Sequence, residues 1–375
     1  MANQPHRFFR TLRDLLIRDL TWEELNKSFG SDARGAYEFY ARSMKSVEGE
    51  RNRVRRALKI AWQVFLAFLE KLTPARRFLY AVALLFFFVA FAQNNATPAV
   101  YAFLLINFLL AMELADKLMT KDELSIAREI QLSLQPAGNT DLREYEFCTH
   151  SEAARQVGGD YYDVVPLPDA STLLVVGDVS GKGISSALYV VKMQTALQLF
   201  ATETSDLRQL LVRFNDYIYG KLKKNYFLSL ILAKIQPDGA LELCRAGHPP
   251  ALLYRAAENR VDWLKPAGLA VGMAPSSNGN GNGSTGNGKS FENTLESLTL
   301  QPASGDTILL FTDGITEAVD RYGKEYGTDR IAALISAHAA EPLENIRRRL
   351  VNDFETYRAG ADMHDDTTFI LLRKK

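Results

Sequence analysis

Cysteine is almost missing from this chain. The two thiols, Cys148 and Cys244, stand far apart and outside any CxxC spacing, which excludes a zinc knuckle and a disulfide framework and suits a reducing cytoplasm. Net charge is missing as well. The 44 lysines and arginines balance 44 aspartates and glutamates, so no bulk attraction draws the protein to nucleic acid, and no nucleic-acid partner is expected. The opening stretch MANQPHRFFRTLRDLL scatters charge among its apolar residues. It lacks the unbroken apolar core and small-residue cleavage site of a signal peptide, and none is expected. A phosphate-binding loop is absent too. GDVSGKG offers glycine and lysine, but GxxxxGK[ST] needs four residues between its glycines and a hydroxyl residue after the lysine, whereas Gly183 follows Lys182. This excludes an ATPase of that type.

What is present suffices for a globular core: 47% of the 375 residues are hydrophobic and 23% charged. Residues 1–76 read as a polar, helix-prone region, with apolar positions at helical spacing over 8–20 and 58–68. An apolar hairpin is expected over 77–113. It consists of the run FLYAVALLFFFVAFA, the loop QNNATP and the run AVYAFLLINFLLAM, which is broken only by Asn107. Each run of about 15 residues gives roughly 22 Å of helix, short of the ~30 Å hydrocarbon core. The flanks add direction. Arg51, Arg53, Arg55, Arg56, Lys59, Lys71, Arg76 and Arg77 precede the first run against Glu70 alone, and the loop is uncharged. Basic flanks stay on the cytoplasmic side, so the expectation is a membrane-embedded hairpin with the C-terminal domain in the cytoplasm. The alternative is a buried helical pair in a sensor domain or dimer interface.

Residues 114–136 read as a linker helix with an apolar face of Leu114, Leu118, Leu124, Ile126, Ile130 and Leu134. Thr120 and Glu123 have the spacing of a capping box at an internal restart. The face suits pairing with a second copy, making a homodimer, or packing on the following domain.

Residues 137–375 form the next domain. Strand-length β-branched and aromatic runs are expected at 160–167, 172–178, 227–235, 241–246, 251–254, 306–312 and 367–373. Pro237, Asp238 and Gly239 supply a turn between two of them. Helices are expected at 185–202, 206–222 and 331–358, the last broken near Pro342. This order implies an α+β fold, a two-sheet β-sandwich flanked by helices in an αββα arrangement. The Gly/Asn/Ser stretch 275–290 reads as a disordered surface loop.

Four acidic positions share one local pattern, a carboxylate at a strand end or in a tight turn, usually beside glycine. They are Asp160 in VGGDYYD, Asp178 in LLVVGDVSGKG, Asp313 in ILLFTDGITEA, and Asp365 with its neighbour Asp366 in HDDTTFILL. Any one alone reads as a turn residue. Their recurrence at strand ends implies a shared cleft, and hard oxygen donors without Cys or His clusters suit Mg²⁺ or Mn²⁺. A phosphate monoester repels nucleophiles, so its hydrolysis needs cations to neutralise its oxygens and a water deprotonated near neutral pH. Two metal ions provide both. Gly158, Gly159, Gly177 and Gly314 let backbone approach such a site. His248 reads as shaping its turn or as part of the chemistry, and His364 as a solvent-facing loop residue.

In order, GGDYYD, GDVSGKG with the helix SSALYVVKMQTAL behind it, CRAGHPP, GLAVGM, LLFTDGITEA and DDTTFILL resemble the SpoIIE/RsbU-type branch of the bacterial metal-dependent protein phosphatases, relatives of type 2C phosphatases. The resemblance runs from about Ile130 to the C-terminus. It implies a protein-serine/threonine phosphatase with two Mn²⁺ or Mg²⁺ ions. Asp178 then bridges the ions, the Val179 carbonyl is a further ligand, Asp160 lies at or just behind the second ion, and Asp313 and Asp365 bind the first, with Asp366 the alternative to Asp365. Arg155 stands four residues before Gly159, the interval at which type 2C relatives place a phosphate-holding arginine; a solvated surface arginine is the other reading. Ala270 departs from the family's GLPLG-like form, where proline is usual, which bears on the substrate-facing loop. The implied substrate is a phosphorylated cytoplasmic protein, a STAS-type anti-sigma-factor antagonist in a partner-switching pathway. The rival reading is a catalytically silent scaffold.

Overall fold

The computed structural model describes residues 53–136, 142–277, 290–359 and 363–375. The helical spacing expected over 8–20 lies outside the described residues, as does 278–289 of the low-complexity stretch. The chain divides into two compact units, one up to Met119 and one from Thr120 onward.

The first unit is helical. Helix α1 covers Arg53–Lys71, α2 covers Pro74–Gln93, and α3 begins at Ala96 and continues to Ser133 in the second unit. Proline at its first position starts α2, where a missing N–H costs nothing. Asn94 ends it in the left-handed region at φ 49°, which asparagine tolerates. The facing surfaces of α2 and α3 bury small residues, Ala83, Ala90 and Ala102, while Phe86 meets Tyr101 at 5.8 Å between ring centroids. Arg76 closes the open end of the hairpin, reaching Glu113 at 2.9 Å and Asp116 at 2.6 Å. Phe87, Phe88, Phe91, Phe103 and Leu110 all point outward.

Both helices outrun the apolar stretches in the sequence. At 20 and 38 residues they are long and apolar enough to cross a membrane. Helix α3 also passes Thr120 without the expected restart. Nothing breaks it there, because 110–133 contains neither glycine nor proline and is rich in leucine, glutamate, lysine and alanine.

The second unit is a pair of five-stranded antiparallel sheets between helices. Its strands are β1 Tyr145–Glu152, β2 Asp160–Pro166, β3 Thr172–Val179, β4 Leu228–Ile235, β5 Leu241–Ala246, β6 Ala251–Arg255, β7 Arg260–Leu264, β8 Ser297–Leu300, β9 Thr307–Phe311 and β10 Thr367–Lys374. One sheet has the order β1-β10-β9-β6-β7 and the other β2-β3-β4-β5-β8. Helices α4 Ile184–Ala201 and α5 Leu207–Ile218 cover the second sheet; α7 Thr328–His338 and α8 Leu343–Arg358 cover the first. A single turn, α6 Asp313–Thr316, follows β9. Pro342 separates α7 from α8, where the sequence placed a break.

Strand alternation sorts side chains into layers. In β3, Leu173 and Val175 face Met193, Leu197 and Phe214 of the helices, while Leu174 and Val176 face Ile308, Leu310 and Ile370 of the opposite sheet. On the far side, Leu309, Phe311, Phe369 and Leu371 pack under Ile331, Ile346 and Leu350. Central strands buried on both faces read as continuous apolar runs, as in LSLILAKI of β4. The αββα expectation holds in these particulars.

Removing a core side chain should therefore cost far more than removing a surface one. Phe214 is fully enclosed and Leu188 is 66% exposed. Phe214→Ala is expected to lower urea-measured stability by about 3–5 kcal/mol, and Leu188→Ala by less than about 0.5 kcal/mol.

Candidate active site

The register of the second sheet places two carboxylates opposite each other, Asp160 at the start of β2 beside Asp178 near the end of β3. The first sheet delivers the others to the same edge. Asp313 opens α6 directly after β9, and Asp365 and Asp366 immediately precede β10, which pairs with β9. Thr312 joins the sheets: its hydroxyl donates to Asp160 Oδ2 at 2.8 Å, and its N–H donates to the Thr368 carbonyl at 2.9 Å.

Asp366 differs from its neighbours. Its Oδ1 accepts the Ala154 N–H at 2.7 Å, and its Oδ2 accepts the Gly159 N–H. It thus ties the turn before β2 to the strand entering from the other sheet. Glycine at 314 is required for this closeness, and glycine at 159 eases it. A methyl group at Gly314 would fall 1.8 Å from the Asp366 carbonyl oxygen, and one at Gly159 would fall 3.1 Å from the Val179 carbonyl oxygen and 3.2 Å from Asp178 Oδ1.

The carboxylates lie in one another's field. Burial, then Asp313, Asp365 and Asp366, push the Asp178 carboxyl up to about 7. Burial and Asp178 hold Asp160 well above the usual range, with the Thr312 and Thr368 hydroxyls offsetting part of the rise. Asp313 is raised by burial and by Asp365. Like charges that share a desolvated site favour protons or cations. Among the described residues no three acidic, imidazole or thiol side chains close as a ready-made metal cage. Asp365 is engaged by Lys182 Nζ at 2.9 Å, and Asp160 by Thr312. The donor set nonetheless fits hard divalent cations, because it is all oxygen, crowded and short of positive charge.

Of the other residues singled out in the sequence, Arg155 is exposed and lines a recess with Lys182, His364 and Asp365. Val179 is buried, its N–H held by the Gly159 carbonyl at 3.1 Å. His364 is exposed. His248 is buried, with Nδ1 2.8 Å from the Ser229 hydroxyl. Burial and the nearby Arg245 lower its pKa to about 3, so it is neutral at physiological pH. Burial also pushes the Cys148 and Cys244 thiols up to about 12, so neither is a thiolate nucleophile at neutral pH. Sequence reasoning passed over Lys182 and Thr312 as functional groups. Lys182 had a signal, its place in GDVSGKG; Thr312 had only its position before Asp313.

A family model described as Stage II sporulation protein E (SpoIIE) matches residues 168–375. Asp178, Asp313, Asp365 and Asp366 fall inside that span, and Arg155 and Asp160 precede it. Among curated relatives, Protein IcfG of Synechocystis sp. is 28% identical over 300 residues, 71% of this chain, but the alignment covers 44% of IcfG's own length. Phosphoserine phosphatase RsbU of Bacillus subtilis is 28% identical over 262 residues, 68% of this chain and 71% of RsbU. Among solved structures, the SiaA-PP2C domain of Pseudomonas aeruginosa superposes with a TM-score of 0.57 at 21% identity, covering 70% of this chain and 99% of that domain. The PP2C phosphatase domain of SpoIIE from Bacillus subtilis, with a fragment of its regulatory domain, gives a TM-score of 0.50 at 17% identity, covering 62% of this chain and 64% of that one. These likenesses establish the fold.

The raised carboxyls make stability depend on pH in one direction. The Asp178 carboxyl keeps its proton up to about 7 when folded and releases it near 3.9 when unfolded. Across that window the folded state binds more protons, so stability falls as pH rises, and the full penalty is present above pH 7. Chelator-treated protein should melt at progressively lower temperature from pH 5 to 8. Asp178→Asn should flatten that slope and raise the melting temperature at pH 8.

Proposed function

The chain belongs to the stage II sporulation protein E (SpoIIE) family, and we propose that its domain of PP2C phosphatase type removes phosphate from serine or threonine of a cytoplasmic regulatory protein. The observation that carries this reading is the convergence of carboxylates from both sheets on one edge of the sandwich, Asp160 paired with Asp178 across β2 and β3, and Asp313 and Asp365 delivered by the ends of β9 and β10. The enclosed, neutral thiols offer no nucleophile, and the crowded all-oxygen donor set suits a cation-assisted route.

Asp178 would be the central ligand, since it faces both Asp160 across the strand pair and the charges of Asp313 and Asp365. Asp313 and Asp365 would hold one cation, and Asp160 with the Val179 carbonyl would support the second. Asp366 has both oxygens committed to backbone amides, so it serves as the tie that fixes Gly159 and thereby Asp160. When bound there, two Mn²⁺ or Mg²⁺ ions would supply positive charge for the phosphate dianion and acidity for a water near neutral pH. Arg155, exposed at the rim, offers a guanidinium fork to the phosphate oxygens.

The name of RsbU as a phosphoserine phosphatase supports seryl phosphate as the substrate, and the family resemblance supports a STAS-type anti-sigma-factor antagonist as the protein bearing it. The outward aromatic residues of α2 and α3, together with the basic residues before α2, support a hairpin embedded in the cell membrane with the phosphatase domain in the cytoplasm. Leu114, Leu118, Ile126 and Ile130 are exposed along α3 and support a homodimer through that helix.

Two measurements check this reading. On a phosphoserine peptide with Mn²⁺, Asp178→Asn or Asp313→Asn should lose at least about 100-fold in rate, the scale of an electrostatic catalytic group; a wild-type rate in either variant overturns the mechanism, and an inactive wild type points to the scaffold. The full chain should sediment with membranes and require detergent, while a chain starting at Thr120 should be soluble. Full solubility of the intact chain refutes the tether.

A further inference from the structure

The lysine of GDVSGKG is outside every role described so far, yet it makes the closest cationic contact in the cluster. Lys182 Nζ lies 2.9 Å from Asp365 Oδ2 and donates to the His364 carbonyl at 2.5 Å. The other Asp365 oxygen accepts the Asp366 N–H at 3.0 Å. The lysine's charge also reaches Asp313 and Glu317, lowering both carboxyls against the burial that raises them.

The loop holding the lysine is shaped to aim it. Gly181 at φ +105° and Gly183 at φ +83° flank it, both in the region that side chains avoid. At Gly183 a methyl would meet nothing within 4 Å, so glycine is needed there for backbone conformation and not for room. Immediately beyond, Gly183 caps α4, and the Ser186 hydroxyl donates to the Gly183 carbonyl at 2.8 Å. The ammonium group is therefore delivered from a fixed base on a flexible stem. Its side chain is 47% exposed and its partner's is 38% exposed, so the pair sits where solvent and solutes arrive. Arg155, Gly181, Gly183, His364 and Asp365 share its recess.

We propose that Lys182 is an exchangeable counter-ion: it occupies Asp365 until a divalent cation takes that carboxylate, and its released ammonium then contacts the substrate phosphate beside Arg155. This rests on the phosphatase reading above. A divalent cation on Asp365 repels the Lys182 ammonium held 2.9 Å from the same carboxylate, so loading the cation favours freeing the lysine. A phosphate dianion is the ligand for which an ammonium and a guanidinium in one recess are complementary. The protein thus withholds a phosphate-binding cation until the site is charged.

Removing the lysine should have opposite effects on the two ligands, which a purely structural role would not produce. Titrating Mn²⁺ calorimetrically into the chelator-stripped full chain in detergent, without substrate, should show Lys182→Met binding up to about fivefold more tightly than wild type, the size of an exposed ion pair. Lys182→Arg should bind as wild type does. At saturating Mn²⁺, KM for a phosphoserine peptide should rise about tenfold in Lys182→Met, the scale of one charge-assisted hydrogen bond. Unchanged or weaker Mn²⁺ binding by Lys182→Met overturns the counter-ion role, and an unchanged KM overturns the phosphate contact. A wild-type protein that takes up no Mn²⁺ sinks the phosphatase reading as well. A wild type that binds and turns over, beside an indistinguishable Lys182→Met, sinks only the lysine.

Discussion

Mutual repulsion of carboxylates at one edge of the sandwich is the constraint that the rest of the domain answers. Asp160 and Asp178 are forced together by the β2–β3 register, and Asp313 and Asp365 enter the same field from the other sheet. Such a cluster costs free energy on folding in the absence of bound cations. What opposes that cost is local and specific: the Thr312 hydroxyl on Asp160, backbone amides on Asp366 and the Lys182 ammonium on Asp365. Each partner lies far from its carboxylate in sequence, so the edge assembles only when both sheets are in place.

The three apolar layers make that assembly affordable. Central strands bury both faces, one against the opposite sheet and one against helices, which leaves their ends as the place for charge. Polar side chains at strand ends need no apolar partners, and glycine turns there bring main chain within touching distance of the acids. The same geometry makes the site depend on remote packing. A shift of β10 against β9 would carry Asp365 and Asp366 with it, and Asp366 would draw on Gly159 and the start of β2.

The sequence exposed the sandwich because its central strands are unbroken apolar runs with acids and glycines at their ends. Asp178 and Asp313 stood out for that reason. Strands β1, β7 and β8 were missed: YEFCTHSE, RVDWL and SLTL lie at sheet edges, carry polar residues on an open face, and have weak apolar signals. The continuity of α3 was missed because a local capping pattern at Thr120 and Glu123 competes with helix propensity and loses. Lys182 and Thr312 were illegible as partners because their bonds span 183 and 152 residues of chain respectively, and no local pattern encodes such a pairing. Asp366 stood in the sequence as the alternative to Asp365, and nothing local foretold that its two oxygens would accept different backbone amides.

The two thiols have a consequence of their own. Cys244 is fully enclosed, Cys148 is partly so, and both are held as neutral SH groups by their surroundings. Peroxide attacks thiolates, so oxidants that silence a cysteine-based enzyme find no foothold at this carboxylate edge. The carboxylate cluster itself is built without sulfur, so oxidation of either thiol would leave its donor atoms unchanged.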